Sequence, residues 1–509
     1  MNDEQQSQPI ELEIKFSVPT GAETELANHP ALRADGTTPP QTRSEVTTYF
    51  DTPDCRLRAG AASLRVRRRG EQRVQTLKLP SATATAFGRA EWEWPVHGEV
   101  PDLRCLAETP LGTKLSHRDE LGAVFTSEIQ RTTYIVRIDD ATIEAALDLG
   151  VIRAGEATEE VRELELELKD GSAASLYRLA TALQSSLQLT LGAESKADRG
   201  WRLRTGRTRG PVKQPDIRLE PDVTAAVAFR HIVATSLANL LANQPAALIG
   251  EIEGIHHMRV AIRRLRAVLA LFRPHLEPHA EARFTAELRR IGRVLGEARD
   301  WDVFCAETLV AAGEDGVPAS LLDLLRGPAE ARRDEAHREV VAELNGPAFT
   351  SLVLGLAAWA EDAATLAAPP SREAMQLLMA DLAPLLEARL ARKALRRGRH
   401  IRGRTAEELH ALRKSLKKLR YGIEFMAPLH RRKQVKAYLR GCKALQEQLG
   451  ALNDGTMAVR MGEELGEDRV AALAPAIAAL ANWAQARRAR ALKHLPDGWN
   501  AFKTVQLPT

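Results

Sequence analysis

Ile10-Glu11-Leu12-Glu13-Ile14-Lys15-Phe16 spaces two glutamates and a lysine two residues apart, with an apolar residue on either side of each. Glu163-Leu164-Glu165-Leu166-Glu167-Leu168-Lys169 repeats the pattern with three glutamates. Between these stretches come Arg65 with Arg67, Lys78, Arg89 with Glu91 and Glu93, Arg131, and Asp148 with Glu144. Carboxylates gathered in this way are hard oxygen donors for a divalent cation such as Mg2+ or Mn2+. Arginines and lysines cradle the oxygens of a polyanion. The ligand that uses both sets at once is a metal-bound tri- or polyphosphate.

The elements that must position these groups are strands, because alternation of apolar and charged residues has a period of two. For one such strand the ordinary reading is a charged face in water. Here five or six strands share the pattern, and each has a strongly apolar second face. A closed barrel with a charged interior accounts for both faces. Uncompensated buried charge on this scale would be prohibitive, so metal and ligand belong to the electrostatic balance. Turn signals at Arg69-Gly70-Glu71 and Asp170-Gly171 separate strands, and a helix is predicted from Ser172 to about Gln188. Tyr49-Phe50-Asp51-Thr52 reads as a strand end, and Trp92 and Trp94 read as barrel packing.

Glu11-x-Glu13-x-Lys15 resembles the E-x-E-x-K signature of the CYTH domain, the triphosphate tunnel metalloenzymes. Further landmarks follow in order: Tyr49 to Thr52, Leu64-Arg65-Val66-Arg67, Lys78, Arg89-Ala90-Glu91, Arg131, Asp148, the Glu163–Glu167 strand and Ser195-Lys196-Ala197-Asp198-Arg199. The resemblance covers roughly residues 8–205. It implies an eight-stranded antiparallel β-tunnel that hydrolyses or cyclises triphosphates with Mg2+ or Mn2+. It also implies roles. Glu11 and Glu13 would bind metal with glutamates drawn from Glu163, Glu165 and Glu167. Asp148 and Glu91 would hold a second ion or position water. Lys15, Arg65, Arg67, Lys78, Arg89 and Arg131 would clamp phosphates, and Lys196 would assist water activation.

From about residue 220 the chain becomes rich in Ala, Leu, Arg and Glu at helical spacing. Arg202 to Lys213, with five basic residues, two glycines and a proline, reads as a linker. The helical half repeats itself at an offset of 154 residues: His256, Arg259, Arg263 and Arg266 return as His410, Arg413, Lys417 and Arg420. The same offset takes Pro274 to Pro428, Leu295-Gly296 to Leu449-Gly450, and Asp300 to Asp454. Two duplicated helical bundles are expected. Each row of four lies on one helical face over about 15 Å. Stacked like charges repel, so a counter-charge is expected. No acid recurs at i±4 within the rows, and Glu424 lies past the end of the second. A second basic run, Arg392 to Arg404, reads as an exposed helix end or loop. Metal chelation by the histidines ranks below polyanion binding, because neighbouring arginines and lysines make a poor cation site. This half resembles the CHAD domain, a conserved-histidine α-helical module, over roughly 220–500. That resemblance implies polyphosphate binding by the two rows. Ala267 stands where Tyr421 stands in the second repeat, so the halves are not equivalent.

The expected organisation is multidomain: a tunnel domain at 1–205, a basic linker at 206–220, and an all-α domain at 221–509 with repeats at about 221–365 and 375–509. Its 509 residues suffice for this, and a net charge of +4 does not by itself call for nucleic acid or membrane. The four cysteines form no C-x-x-C pair, against zinc ligation or a disulfide framework. No apolar run approaches the ~20 residues of a membrane span, and the polar start MNDEQQSQP argues against a signal peptide, so a cytoplasmic protein is expected. The leading functional expectation is a metal-dependent inorganic triphosphatase with a polyphosphate-binding helical domain. Alternatives are a nucleotide cyclase, a nucleoside or thiamine triphosphatase, or a non-catalytic polyphosphate-binding scaffold.

Overall fold

A computed structural model of the chain describes residues 10–33, 38–80, 87–112, 115, 120–207, 210–466 and 470–508. The polar N-terminal stretch 1–9 and positions 208–209 of the expected linker lie outside them. The chain forms two compact units: residues 1–211 with 244–246 and 345–362, and the remainder.

The first unit is an antiparallel barrel of eight strands. They are β1 (Ile10–Ser17), β2 (Thr38–Asp51), β3 (Ser63–Arg69), β4 (Gln72–Pro80), β5 (Gly88–Pro95), β6 (Gly122–Ile138), β7 (Ala141–Ala154) and β8 (Ala157–Asp170). Neighbours run β5-β4-β3-β2-β6-β7-β8-β1, and β1 pairs again with β5 to close the ring. Closure leaves no sheet edge among these strands, and it divides every strand into an inner and an outer face. The outer residues Ile14, Phe16, Leu164 and Leu166 are fully buried, beneath a helix α1 (Ala173–Leu187) that contributes Leu176, Leu179 and Leu183. Each such side chain contributes about 1.5–3 kcal/mol when removed from water. Ser172 caps α1 as the sequence predicts, its hydroxyl accepting from the Ala174 N–H. The helix Pro347–Glu361 belongs to this unit and also packs on α1, where Ser351 donates to Gln184 at 2.9 Å.

A second helix, α2 (Lys196–Thr205), stands at one end of the barrel. Ser195 and Asp198 form a reciprocal capping box that fixes where it starts. Trp201 packs there with Tyr49, Phe125, Ile129, Ile152 and Val161, and Phe125 stacks on Tyr49 at 4.6 Å. Gly200 lies so close to the Phe125 ring that a Cβ would stand 2.3 Å from it. The linker therefore begins later than Arg202: α2 runs to Thr205, and Arg202 is tied to Glu194 and Glu159. Its charge is satisfied by the barrel, and that satisfaction is invisible in a run of basic residues.

The second unit is helical, and its main helices are α3 (Ala225–Ala242), α4 (Ile252–Phe272), α5 (Pro278–Val303), α6 (Ala319–Leu344), α7 (Met379–Arg397), α8 (Ala406–Met426), α9 (Arg432–Gly466) and α10 (Val470–Lys503). The first residues of α3, α4 and α5 recur 154 positions later as those of α7, α8 and α9, at the offset read from the sequence. The relation is reciprocal in the backbone. Ala225 N–H donates to Leu377 at 2.9 Å, and its counterpart Met379 N–H donates to Val223 at 2.8 Å. The two middle helices, α4 and α8, pack on one another. The basic run from Arg392 ends α7 and passes into a short 3-10 turn at Ile401–Gly403, with most of its cations exposed. One sequence expectation needs amendment: Ala225–Leu248 is long and apolar enough for a span, with mean hydropathy 1.4. Most of that window is buried, as a helix apolar on all sides is in a folded core.

Candidate functional site

The strand registers bring the charged residues of distant segments face to face inside the barrel. Glu13 stands opposite Glu167 and Lys15 opposite Glu165 on β1 and β8. Asp148 is opposite Glu163 on one side and Arg131 on the other. Lys78 is opposite Glu91 on β4 and β5. In an antiparallel pair, opposed residues share a face, so these groups all project inward.

Four of the inner cations are each shared by several carboxylates. Lys78 Nζ lies 2.6 Å from Glu11, 3.4 Å from Glu91 and 3.6 Å from Glu13. Lys15 donates to Glu13 at 2.6 Å and also to Glu165. Arg131 donates to both oxygens of Asp148 at 2.7 and 2.6 Å and also reaches Glu165. Lys196, at the start of α2, is inserted among Glu163, Asp148 and Glu165 at 2.6, 2.8 and 2.9 Å. Burial opposes its charge, but Asp148, Glu163 and Glu165 hold the ammonium well above its ordinary pKa. Burial likewise opposes Glu165, and Lys15, Lys196 and Arg131 hold it well below the carboxylate range.

Around Glu91 the balance differs. Burial, then the hydrogen bond with Glu11, pushes Glu91 up to about 8. Burial would also raise Glu11, but Lys78 and the bond from Glu91 bring it down to about 2. At neutral pH the two carboxyls share a proton in the order Glu91–H to Glu11. Glu167 is also raised: burial leads, Lys169 offsets part, and Glu11 and Glu13 add to it. So burial leaves Glu91 on β5 and Glu167 at the far end of β8 less firmly held in the charged form than the acids nearer Lys196. Glu163 and Glu165, by contrast, are committed to Lys196, Arg199, Arg131 and Lys15.

That imbalance tests whether a divalent cation fits. Among the described residues, no three ligand groups already stand around one point, because the carboxylates are turned onto lysines and arginines. The chemistry of the donor set fits nonetheless. It is oxygen only, and one of its members, Glu91, holds a proton that a cation would displace.

The sequence-picked cations differ in depth. Lys15, Arg65, Arg67, Lys78 and Arg131 are inside; Arg89, at the start of β5, stands opposite Glu11 on the same face and is exposed. Arg65 lies 3.5 Å from Glu91, opposite Tyr49. Burial opposes its charge, while Tyr49 and Glu91 hold it up. Tyr49 is therefore more than a strand end, since it faces the interior beside a guanidinium. Asp51 has the structural part, accepting from the N–H groups of Thr52, Leu57 and Arg58 at 2.7–2.9 Å. Glu45 on β2 is the acid the sequence reading missed. It is nearly buried and lies 2.6 Å from Arg69 and 3.5 Å from Arg67. The alternation Glu45-Val46-Thr47-Thr48-Tyr49 carried the signal, diluted by threonines on both faces.

In the helical unit the two basic rows meet. Lys417 lies in the field of Arg413 and Arg420 from its own helix and of Arg263 and Arg259 from α4. Burial and these four cations bring it down to about 7. Arg259 is answered by Asp300, at 2.9 Å, and by the Gly296 carbonyl. Arg263, Arg413 and Lys417 have no hydrogen bond or ion pair among the described residues, and the Nε atoms of Arg263 and Arg413 are buried without a partner. His410 is hydrogen-bonded to Asn453 at 2.9 Å. His256 is lowered by burial and by Arg299. Arg420 departs from the expected row, because Glu424 reaches back to it at 2.9 Å and also to Arg264 at 3.4 Å. An acid one turn past the end of a row still reaches its last member.

Comparison with known proteins finds two families along the chain. The family model of the CYTH domain matches residues 9–201, and that of the CHAD domain matches residues 231–463. An inorganic triphosphatase of Haemophilus influenzae is 29% identical over 164 residues, which is 31% of this chain and 45% of that protein. The chain thus spans less than half the length of that relative. The crystal structure of the CHAD domain from the plant Ricinus communis superposes with a TM-score of 0.51 at 27% identity, covering 59% of this chain and 99% of that one. PptA from Streptomyces chartreusis gives a TM-score of 0.43 at 17% identity, over 55% of this chain and 100% of that one.

Proposed function

We propose that this chain, which carries a CYTH domain followed by a CHAD domain, hydrolyses inorganic triphosphate in its barrel and binds polyphosphate on its helical unit. The observation that carries the first part is the interior of β1, β4 and β5. There one lysine, Lys78, is shared by Glu11, Glu13 and Glu91, and burial with the neighbouring Glu11 raises the Glu91 carboxyl. A purely anion-binding tunnel has no use for carboxylates held together at such cost.

In this reading Lys15, Arg65, Arg67, Lys78 and Arg131 bind the phosphate oxygens, exchanging tunnel carboxylates for substrate. Arg89, exposed at the end of the same face, meets triphosphate where it enters. Glu11, Glu13 and Glu167 hold Mg2+ or Mn2+, with Glu91 beside them, while Glu163 and Glu165 support Lys196, Arg131 and Lys15. When bound, the metal supplies charge neutralisation on the phosphoryl oxygens. Water attacks the terminal phosphorus, the anhydride P–O bond breaks, and pyrophosphate leaves. Lys196 keeps its proton, so it contributes fixed charge and orients Asp148 and Glu163, and does not act as a base. The test is phosphate release from triphosphate with each metal, set against ATP and thiamine triphosphate, with cyclic nucleotide measured alongside.

The second part rests on Arg263, Arg413 and Lys417, unpaired cations from two helices that face one another. Cations so placed call for an anion with many oxygens. Replacing Arg413, Lys417 and Arg420 weakens polyphosphate binding and spares triphosphate hydrolysis; unchanged polyphosphate affinity would refute the assignment.

A further inference from the structure

The duplicated helical unit differs in what covers its two flanks. Beside α3, the extended segment 212–219 lies along the helix. Asn243 accepts from the Val212 N–H at 2.9 Å, and Asn239 and Asn243 donate to the Val212 carbonyl at 3.0 and 2.9 Å. Gln214 donates to the Thr235 carbonyl at 3.4 Å, and Ile217 and Leu219 are buried. The cations of this flank, Arg264 and Arg420, are both answered by Glu424, and Arg264 lies over the Phe425 ring at 4.9 Å.

Adding or subtracting the offset of 154 carries each residue to the opposite flank. Asn239 becomes Lys393 and Asn243 becomes Arg397, so amides that read a peptide backbone are replaced by cations. Arg264 and Arg420 become Lys418 and Arg266, but Glu424 becomes Ala270, and the neutralising acid is gone. Lys443 becomes Arg289. Arg266, Arg289, Lys393 and Lys418 have no hydrogen bond or ion pair among the described residues. Lys418 and Arg266 are partly buried, while Lys393 and Arg289 stand exposed beside them. The main charges acting on Lys418 are Arg266, Lys393 and Arg289, with Glu281 the one acid among them.

We infer that this flank, with Arg266 and Lys418 as its floor and Lys393 and Arg289 as its rim, binds phosphoryl oxygens, so that a polyphosphate chain seated on Arg263, Arg413 and Lys417 runs out on this side only. The inference rests on the polyphosphate-binding reading of the helical unit. Phosphate is favoured over an acidic peptide because the backbone-reading asparagines of the covered flank are missing here.

The experiment titrates long-chain polyphosphate against the full chain, the double variant R289Q/K393Q and the opposite-flank control K443Q. All three positions are exposed, so folding is not at stake. The double variant loses about tenfold in affinity. Its dependence of log K on log salt becomes shallower by about 1.4, two contacts at roughly 0.7 each for a flexible single chain. K443Q stays at the wild-type value. Unchanged binding in R289Q/K393Q, an equal loss in K443Q, or equal binding of polyglutamate overturns the inference. If the wild-type chain itself binds no polyphosphate, the underlying reading fails first, and that result is distinct because no variant is needed to see it.

Discussion

Lys78 Nζ sits 2.6 Å from Glu11, on the strand that closes the barrel, and 3.4 Å from Glu91, directly across the ladder. One ammonium thus stands between two carboxyls that already share a proton. The arrangement leaves Glu11 charged and Glu91 protonated, a pair ready to receive a stronger cation.

The first prediction follows from that pair. Glu11→Gln removes a charged donor and leaves Lys78 with less to hold. The Mg2+ or Mn2+ concentration for half-maximal hydrolysis should rise about 10–100-fold, as for other losses around a metal site. A metal titration of activity checks it; an unchanged half-saturation would take Glu11 out of the metal-binding role.

Glu45 sets Arg67 and Arg69 in place from β2. Glu45→Gln leaves buried Arg67 among Arg65, Arg131 and Arg69, so stability should fall by about 3 kcal/mol. Triphosphate replaces the missing charge. Its stabilising shift in a melting experiment should therefore be larger for the variant than for the wild type. A smaller shift would mean that Glu45 serves the fold and not the anion site.

Gly200→Ala drives a methyl into the Phe125 ring beneath Trp201. A loss of about 1–3 kcal/mol is expected, the usual cost of overpacking a filled core. Denaturant unfolding of the full chain, followed by the tryptophan signal of the barrel unit, measures it.

Lys417 gives the helical unit a pH dependence. Burial and four neighbouring cations bring it down to about 7, and a bound polyanion restores it toward ordinary values. Below pH 7 the lysine is already charged, so affinity is flat; above pH 7 binding must take up a proton, so affinity falls by up to about tenfold per pH unit. Calorimetric titration at pH 6 and pH 8 checks the sign. Lys417→Arg should abolish the dependence and keep the affinity at pH 8.

The strand half was legible because charge alternation over β1, β3, β5 and β8 is a direct record of two-faced strands. Glu11, Glu13, Lys15, Lys78, Arg131 and Asp148 all come together as that record implies. What stayed hidden was which acid each cation takes. Glu163, Glu165 and Glu167 are identical by pattern, and only the register and the position of Lys196 on α2 separate Glu167 from the other two. Glu45 hid among threonines, and the exposure of Arg89 at the start of β5 is not written in the alternation. In the helical half the offset of 154 located the helix starts, yet the sequence was silent on α4 packing against α8. That packing turns two solvated-looking rows into one field around Lys417, in which Arg420 is also paired with Glu424.

The central claim is tested most directly by phosphate release from inorganic triphosphate. Purified full-length chain is assayed with Mg2+ and with Mn2+, before and after chelation, beside the double variant E11Q/E13Q. The account predicts turnover by the wild type that chelation abolishes, conversion of triphosphate to pyrophosphate and phosphate in preference to ATP, and loss of activity in the variant. No release with either metal, or preferential conversion of ATP to a cyclic product, would contradict it.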